Sequence, residues 1–409
     1  MQAYRAPRAF DGEAILPDGA LVFVEDGRIV GVEAADAPVP STCTVTEFAD
    51  ATLLPGLVDA HVHLCGDGGP RALDQLPDLD DAEVDAIVAA SMTAQLAVGV
   101  TAVRDLGDAR WAVADRHRDG AHGPTVVASG PPITSPGGHC AGMGGEVSGA
   151  EGLRRAVRER AERGVDVVKI MTSGGMMTLG TDVLACQFTL DELRLVVGEA
   201  HRAGLPVTGH AHGLPAVALC VAAAVDGIEH CTCMTPDGIR LSAALAEAIA
   251  AAGIAVCPTN ARKPDAVVAP HIQALLERNH MTWEDRYPTF VALHEAGVTL
   301  AGGTDAGINP VKPHGIMPEQ VIELVTAGLP VAAALTAATS AAARVCRLDH
   351  RTGRLAVGLD ADLLVVQGDA GADVTALRDV RLVVSRGRAV ASAAQRRRVA
   401  GGEDLGQLR

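Results

Sequence analysis

Aromatic side chains are scarce in this sequence, because only 2% of its 409 residues are Phe, Trp or Tyr. Its hydrophobic residues, 48% of the total, are therefore mostly aliphatic, which favours aliphatic strands and Ala-rich helices around a large core. Positive charge is also in short supply, since 34 Lys and Arg stand against 50 Asp and Glu, a formal net charge of −16. This acidic balance argues against nucleic acid or an anionic membrane as a partner.

The sequence also lacks the marks of a membrane-spanning or secreted protein. No apolar run is long enough to cross a bilayer, and residues 1–8 do not have the pattern of a signal peptide. Nine cysteines follow no repeated spacing, and Cys231 and Cys233 stand closer together than zinc-ligand pairs do. We therefore expect a cytoplasmic protein with reduced thiols.

The most informative motif is a pair of histidines, His61 and His63, at the end of the apolar run 53–62. The composition of this run predicts a buried β-strand. Side chains alternate between the faces of a strand, so positions i and i+2 point the same way. The two imidazoles therefore leave the strand side by side, as a divalent metal requires, or they are two polar residues at a strand exit without a metal.

The two ends of the chain share a β-rich character. Residues 20–33 read as a hairpin with Asp26-Gly27 at its turn, and residues 361–366 and 380–388 read as strands. Neither end shows helical periodicity before the last dozen residues. We predict that residues 1–56 and 355–409 pair into one small β-sandwich domain beside a domain formed by residues 57–354.

Between the two ends, short aliphatic runs alternate with helix-like stretches, which indicates βα units and a parallel sheet. The predicted strands are 57–62, 99–105, 124–129, 165–171, 205–210, 225–229, 254–257 and 297–302. The predicted helices include 151–163, 189–203, 215–224, 241–252, 282–296, 316–328 and 330–345. Eight such units predict an α/β fold with a closed (β/α)₈ TIM barrel. The alternative, an open doubly wound sheet, lacks its usual Gly-rich phosphate loop here, because the Gly-rich segment 137–145 opens no helix.

Further metal-ligating groups follow later strands of the predicted barrel. Lys169 lies in the fourth strand, and His210 and His230 end the fifth and sixth. Asp305 follows the eighth. Because the functional residues of a barrel gather where its strands end, we expect these side chains to converge with the first-strand histidines on one face.

Lys169 is unusual because Val168 and Ile170 flank it in a central strand. A buried ammonium is costly without a partner, and an ion pair with a nearby acid is one way to accommodate it. The other is reaction of the neutral amine with carbon dioxide, which gives a carbamate. This anion has two oxygens and is suited to bridging two cations.

Taken together, these features resemble the amidohydrolase superfamily over nearly the whole chain. The stretches typical of that superfamily are 55–63, 303–305 and 358–363. Three others are similar to the branch that contains imidazolonepropionase and the prolidase-like dipeptidases: 137–139, 169–175 and 209–213.

The resemblance implies a site with two divalent metal ions, which we expect to be zinc. It places His61, His63 and Asp305 on one metal and His210 and His230 on the other, with carboxylated Lys169 as the bridge. The ions would make hydroxide available near neutral pH, and Asp305 would act as general base and then acid. We also expect catalytic roles for two further histidines, His139, in a loop that closes over substrate, and His212.

The expected function is hydrolysis of a C–N amide bond in a small molecule, either dipeptide-like, N-acyl or cyclic. One alternative is a single-metal deaminase of a ring amidine, but residues 211–214 lack the glutamate that deaminases of this superfamily carry after the strand-five histidine. The other is a non-catalytic scaffold, which would tend to lose ligands, whereas none is missing. We expect a homo-oligomer as the assembly.

One position departs from the prolidase-like pattern. Cys233 stands where relatives often carry a tyrosine that helps to hold a substrate carboxylate. Arg262 or Lys263 would supply the charge instead, or both are solvated loop residues. We expect a free carboxylate to be held less firmly, in a soft, apolar pocket mouth formed by cysteines and methionines, namely Cys65, Cys140, Met176, Met177, Cys231 and Cys233.

Overall fold

A computed structural model of the chain describes residues 1–118 and 123–390. Its strands in chain order are β1 (Gln2–Ala6), β2 (Arg8–Phe10), β3 (Ile15–Leu16), β4 (Ala20–Glu25), β5 (Arg28–Glu33), β6 (Thr44–Glu47), β7 (Ala51–Pro55), β8 (Leu57–Val62), β9 (Val100–Asp105), β10 (Thr125–Ala128), β11 (Val168–Met171), β12 (Val207–Gly213), β13 (Gly227–Thr235), β14 (Gly238–Ile239), β15 (Ala255–Cys257), β16 (Leu363–Gln367), β17 (Val380–Ser385) and β18 (Arg388–Val390).

The α-helices lie mainly between the central strands. They are α1 (Asp81–Ala97), α2 (Ala112–Arg116), α3 (Gly149–Glu162), α4 (Leu190–Arg202), α5 (Leu214–Ala223), α6 (Ala243–Ala251), α7 (Pro270–Arg278), α8 (Tyr287–Glu295), α9 (Met317–Thr326), α10 (Val331–Thr336) and α11 (Ala342–Val345). Within the described ranges, none of them combines the length and apolarity that a membrane crossing requires.

Both chain ends contribute to two sheets outside the barrel. One sheet has the order β5-β4-β1-β6, and the other has the order β18-β17-β16-β7-β2-β3. The β4–β5 hairpin turns at Asp26 and Gly27, which both have positive φ (49° and 80°), as the sequence pattern predicted. Apolar side chains of the two sheets form one buried cluster, in which Val22 of the first sheet joins Leu53 and Val365 of the second. Residues 391–409, including the last dozen, lie outside the described ranges.

The central strands form a TIM-barrel-like α/β fold. Strands β8, β9 and β10 are parallel neighbours, and so are β11, β12, β13 and β15. Two short connections join these groups into a ring. The Ile133 N–H donates to the Lys169 carbonyl between β10 and β11, and residues 299–305 lie between β15 and β8. The Gly302 carbonyl there accepts from the Ala60 N–H.

The eighth barrel segment departs from the predicted strand 297–302. It makes single parallel bridges, such as Val256 with Leu300, rather than a regular ladder. Gly302 offers a physical reason, because its N–H donates to the Ala337 carbonyl of a π-helical turn over Ala337–Ala341. That π turn also divides the predicted helix 330–345 into α10 and α11.

Helices α1, α2 and α7 were absent from the sequence prediction, although α1 carries a readable signal. Asp80 accepts from the Glu83 N–H, and the Glu83 carboxylate accepts from the Asp80 N–H, which is a capping box. Thr189 and Glu192 form the same kind of capping box at the start of α4, a helix that the sequence predicted.

Candidate metal centre

The six metal-ligand candidates of the sequence analysis lie together at the carboxyl-terminal end of the barrel strands. His61 lies near the end of β8, Lys169 lies in β11, and His210 and His230 lie in β12 and β13. Asp305 follows the eighth segment. All of these side chains are buried, and all line one cavity together with His63. The strand order therefore brings together residues that are up to 244 positions apart in the sequence, from His61 to Asp305.

One donor group consists of His61, His63 and Asp305, whose ligand atoms all lie within 4.8 Å of one another. The Nε2 atoms of His61 and His63 are 3.4 and 3.1 Å from Asp305 Oδ1. The opposite ring nitrogens face outer acceptors, because His61 Nδ1 is 2.7 Å from a Glu229 carboxylate oxygen and His63 Nδ1 is 3.3 Å from the Gly107 carbonyl. To bind a metal ion through Nε2, each ring would carry its proton on Nδ1, where these outer acceptors can receive it.

The second group consists of His210, His212 and His230. His210 Nε2 donates to the Gly174 carbonyl at 3.1 Å, which leaves its Nδ1 lone pair 2.9 Å from Nε2 of His230. His230 Nδ1 in turn lies 2.7 Å from Thr259 Oγ1. Burial lowers the pKa of His210 and of His230 well below 6.5, so both rings are neutral near pH 7.

The donor chemistry of both groups fits divalent cations. Burial is the main cause that lowers the pKa of His61 to about 4, and the charge of Lys169 is the second. His61 is therefore neutral near pH 7 and adds no positive charge to balance the Asp305 carboxylate. Burial by itself would raise the pKa of Asp305, but the hydrogen bond from His63 and the charges of His61 and Lys312 hold it well below the usual range. An ionised carboxylate thus faces inward lone pairs, an arrangement that a cation stabilises. Outer hydrogen bonds of this kind orient metal-binding histidines.

Lys169 lies inside this ring of donors and is 1% exposed. Among the described residues no carboxylate lies within salt-bridge distance of its amine, and the charges of Glu229 and Asp305 act on it from further away. Burial lowers the pKa of Lys169, although Glu229 and Asp305 oppose that effect. The neutral amine is therefore favoured relative to an ordinary lysine.

Glu229 is a central residue that the sequence analysis missed. Its carboxylate accepts from Arg104 at 2.9 Å and from Thr208 Oγ1 at 2.6 Å, besides its contact with His61. Burial by itself would raise its pKa, but the charges of Arg104 and His61 hold the pKa below the usual range. The signal was an acid within the apolar strand β13. Strict alternation along β13 would place Glu229 and His230 on opposite faces.

The backbone breaks that alternation at two ligand candidates. His230 has φ 70° and Asp305 has φ 60°, both in the left-handed region that non-glycine residues rarely adopt. Such a conformation costs roughly 1–3 kcal/mol and persists only where the surroundings impose it. Near Asp305 the constraint comes from buried Asp59, which accepts from the Thr304 N–H at 2.9 Å and the Thr304 hydroxyl at 2.6 Å.

The two additional histidines of the sequence analysis, His139 and His212, also line the cavity. Their Nδ1 atoms are each 2.9 Å from a threonine hydroxyl, of Thr178 and Thr232 respectively. Burial is the main reason that the pKa of each ring falls to about 3, so both are neutral. Gly175 permits the placement of the His139 ring, because a Cβ atom at position 175 would lie 2.2 Å from His139 Nε2.

A cavity lies above these groups, and small-molecule sites in proteins are usually concave in this way. Most of its outer wall is apolar, and the side chains concerned are Leu73, Met171, Met176, Met177, Val268, Ile272, Leu276, Met281, Trp283, Ile308 and Val311.

Only part of the predicted pocket mouth of cysteines and methionines lines the cavity. Cys140 lines the cavity with Met176 and Met177. Cys65, Cys231 and Cys233 instead pack in the main hydrophobic core. All nine cysteines of the chain are free thiols.

The charges proposed to replace the family tyrosine also lie elsewhere. Arg262 forms ion pairs with Glu284 and Glu323 and does not line the cavity, and neither does Lys263. Two cations that the sequence analysis missed, Arg286 and Lys312, do line it.

Comparisons with known proteins agree with this geometry. Residues 52–390 match the model of the amidohydrolase family. An uncharacterised protein of Mycobacterium tuberculosis is 30% identical over 388 residues, which cover 91% of this chain and 93% of that protein. Ochratoxinase of Aspergillus niger is 27% identical over 428 residues, covering 91% of this chain and 82% of the enzyme.

A solved structure extends the comparison to three dimensions. It is a Xaa-Pro dipeptidase with methionine bound in the active site, and it superimposes with a TM-score of 0.82 at 25% identity. The alignment covers 95% of this chain and 99% of the dipeptidase. Because the family model matches most of the chain, including both donor groups, the chain belongs to the amidohydrolase family.

Proposed function

We propose that this protein hydrolyses a C–N amide bond in a small dipeptide-like or N-acyl molecule, with two divalent metal ions at the strand ends. The observation that carries the proposal is the pair of donor groups in one cavity, each with inward lone pairs. His61, His63 and Asp305 would hold one ion, and His210 and His230 the other. Zinc suits such nitrogen and oxygen donors.

Bound divalent ions at such a site supply an activated water and polarise the substrate carbonyl. Lys169 would bridge the ions as a carbamate. The neutral amine nitrogen attacks the carbon of carbon dioxide and loses a proton, which yields an anion with two ligand oxygens. The unpaired, buried amine and its lowered pKa support this modification.

Asp305 is the proposed proton carrier. Its carboxylate is ionised near neutral pH and lines the cavity, so it can accept the proton of the attacking water. It then returns that proton to the leaving nitrogen, as general acid–base catalysis requires. Lys312 stabilises the ionised form, because its Nζ lies 3.9 Å from Asp305 Oδ2.

His139 and His212 are proposed to orient the substrate carbonyl. Each is neutral and lines the cavity, and each has its Nδ1 at a threonine hydroxyl. When the hydroxyl donates to Nδ1, the ring carries its proton on Nε2. That N–H can donate to a carbonyl oxygen as negative charge develops on it.

The relatives support an amide substrate with an apolar part. One structural relative is a dipeptidase with methionine in its active site, and one sequence relative is an ochratoxinase. The largely apolar cavity wall agrees with an apolar substituent. We further propose that the two terminal sheets form a small β-sandwich domain, and that the protein acts in the cytoplasm as a homo-oligomer.

Metal analysis combined with an amide-cleavage assay tests the proposal. Protein loaded with zinc should contain about two ions per chain by elemental analysis. It should release the amine from N-acyl amino acids or dipeptides. The proposal is wrong if the protein neither retains zinc or manganese nor cleaves these amides in their presence. Cleavage of a ring amidine with one ion per chain would favour the deaminase alternative instead.

A further inference from the structure

Arg286 is a buried cation of the cavity wall with almost no partners of its own. It is 7% exposed, and its Nη2 donates to the Pro258 carbonyl. Its Nε has no hydrogen-bond partner, and no carboxylate of residues 1–118 and 123–390 forms an ion pair with its guanidinium. A buried charge in this state is costly unless another group completes its hydrogen bonds.

Lys312, in the same wall, is a cation that has partners for its hydrogen-bond donors. Its Nζ donates to the carbonyls of Thr259 and Thr304, each at 2.8 Å, and lies 3.9 Å from the Asp305 carboxylate. Its charge and donors therefore serve the loops that carry the metal centre. Arg286 has no comparable set of contacts, so its donors remain available to a ligand.

The aromatic surroundings fix the plane of the Arg286 guanidinium. The carbon at its centre is 5.3 Å from the ring centroid of Trp283 and 5.4 Å from that of Phe290. A guanidinium with a fixed plane and free N–H groups matches a carboxylate in a two-point arrangement. The neighbouring wall is apolar, with Met281 and Val311 among its members.

We propose that Arg286 binds the free carboxylate of the substrate, so that the preferred substrates are N-acyl amino acids or dipeptides whose C-terminal residue is apolar. For turnover, this inference rests on the proposed amide hydrolysis. It replaces the expectation from Cys233 that a free carboxylate is held weakly. The group that holds the carboxylate would then lie in the turn before α8, and not in β13, where Cys233 replaces the tyrosine of relatives.

Arg160 provides a matched control in the same chain. It is 2% exposed, its Nη2 donates to the Pro131 carbonyl, and its Nε also lacks a partner. It lies 5.3 Å from the ring centroid of Trp111. Arg160 differs from Arg286 in two ways. Its Nη1 also donates, to the Ala156 carbonyl, and the residue does not line the metal-site cavity.

The first experiment compares N-acetyl-L-methionine with its carboxyl-blocked methylamide, with acetate release as the readout. The wild-type enzyme should favour the free acid in kcat/KM by about 10- to 100-fold, the range for a hydrogen bond to a charged group. Arg286→Gln should abolish this preference, whereas Arg160→Gln should keep it. Equal kcat/KM values in the wild type, or the same loss in both variants, would overturn the proposal.

A binding measurement separates this inference from the proposed reaction. The chain has two tryptophans, so Trp111→Phe leaves Trp283 as the reporter beside Arg286. L-Methionine, which has no amide bond, should change its fluorescence and bind at least about tenfold more tightly than L-methioninol. Arg286→Gln should remove that difference.

Three outcomes of the two measurements would reject one or both proposals. Carboxylate-dependent binding without turnover would reject amide hydrolysis and keep the Arg286 site. Turnover without carboxylate dependence would keep hydrolysis and reject the site, and absence of both would reject both. If Arg286→Gln does not fold, Arg286→Lys preserves the charge, and it should retain an intermediate preference because a lysine lacks the two-point geometry.

Discussion

The terminal sheets and the strand-end face of the barrel bury very different material. Between the sheets, apolar side chains such as Leu53, Leu363 and Val365 fill the core, and charged groups such as Arg5 and Glu47 pair near the surface. At the strand ends, four buried imidazoles, an amine and a carboxylate line one cavity. The first region is complete without any ligand, whereas the second leaves lone pairs and charges for a ligand to satisfy.

The backbone shows the same contrast. Strands β7 and β16 pair residue for residue in an antiparallel register without a shift. In the barrel, β13 shifts register against β12, and His230 and Asp305 adopt left-handed conformations. In the terminal sheets the left-handed residue Asp26 lies at a hairpin turn, whereas in the barrel the left-handed residues His230 and Asp305 are candidate metal ligands that line the cavity. The comparison predicts that substitutions in the two regions affect different measurements.

Lys169→Ala should have the largest effect on turnover. Without the amine no carbamate forms, so the variant should lose bound metal and show no measurable amide hydrolysis. Short carboxylic acids added with zinc should restore part of the activity, because they supply the missing oxygens. Elemental analysis and initial rates check this. A metal-loaded structure with an unmodified Lys169 ammonium paired to an acid would contradict it.

Asp305→Asn should lower kcat by roughly a hundredfold or more, because the amide keeps a neutral oxygen but cannot carry the proton. Its melting temperature in the zinc-loaded state should be nearly unchanged. Asp360→Asn is the matched control, since Asp360 is also buried but pairs with Arg351 at 2.9 Å outside the cavity. Near-normal turnover of Asp305→Asn would remove this carboxylate from the mechanism.

Glu229→Gln should weaken metal binding by about 10- to 100-fold, the usual effect of removing an outer partner of a metal-binding histidine. The glutamine can still accept from His61 Nδ1 but no longer carries the charge that faces His61 and Arg104. Competition with a chelator measures the affinity. Since the ligands remain, saturating zinc should restore most of the turnover, and a persistent loss in kcat would indicate a direct role in the reaction.

Leu363→Ala should have the smallest effect on turnover and should act on stability instead. Leu363 is fully buried between the terminal sheets, so its truncation should lower the free energy of unfolding by about 2–5 kcal/mol. Denaturant unfolding gives this value, and kcat of the folded protein at 25 °C should match the wild type. A parallel fall in kcat would show that the two regions are coupled, against the comparison drawn above.

Much of the architecture could be predicted from local sequence pattern. The alternation of aliphatic runs and amphipathic stretches predicted seven of the strands that form the barrel, and the family comparison confirms a TIM-barrel-like fold. His61 and His63 were found because a strand places i and i+2 on one face. The roles of the individual site residues stay predictions, although the structure brings all of them together.

Other features depended on contacts between distant parts of the chain. The eighth segment is irregular because Gly302 bonds to a helix carbonyl 35 positions later, at Ala337. Glu229 pairs in register with His210 and so lies on the same face, and the left-handed backbone at His230 brings the next residue to the site as well.

Sequence by itself therefore predicted most of the barrel strands and the set of candidate metal donors, because both follow from where apolar runs lie and end along the chain. The tertiary structure alone decided which charges line the cavity. Arg262 and Arg286 are both arginines in segments that follow β15, and no local pattern separates them. The first meets Glu284 and Glu323, whereas the second turns into the cavity between two aromatic rings and finds no carboxylate among the described residues. That difference is set by which elements pack around each side chain.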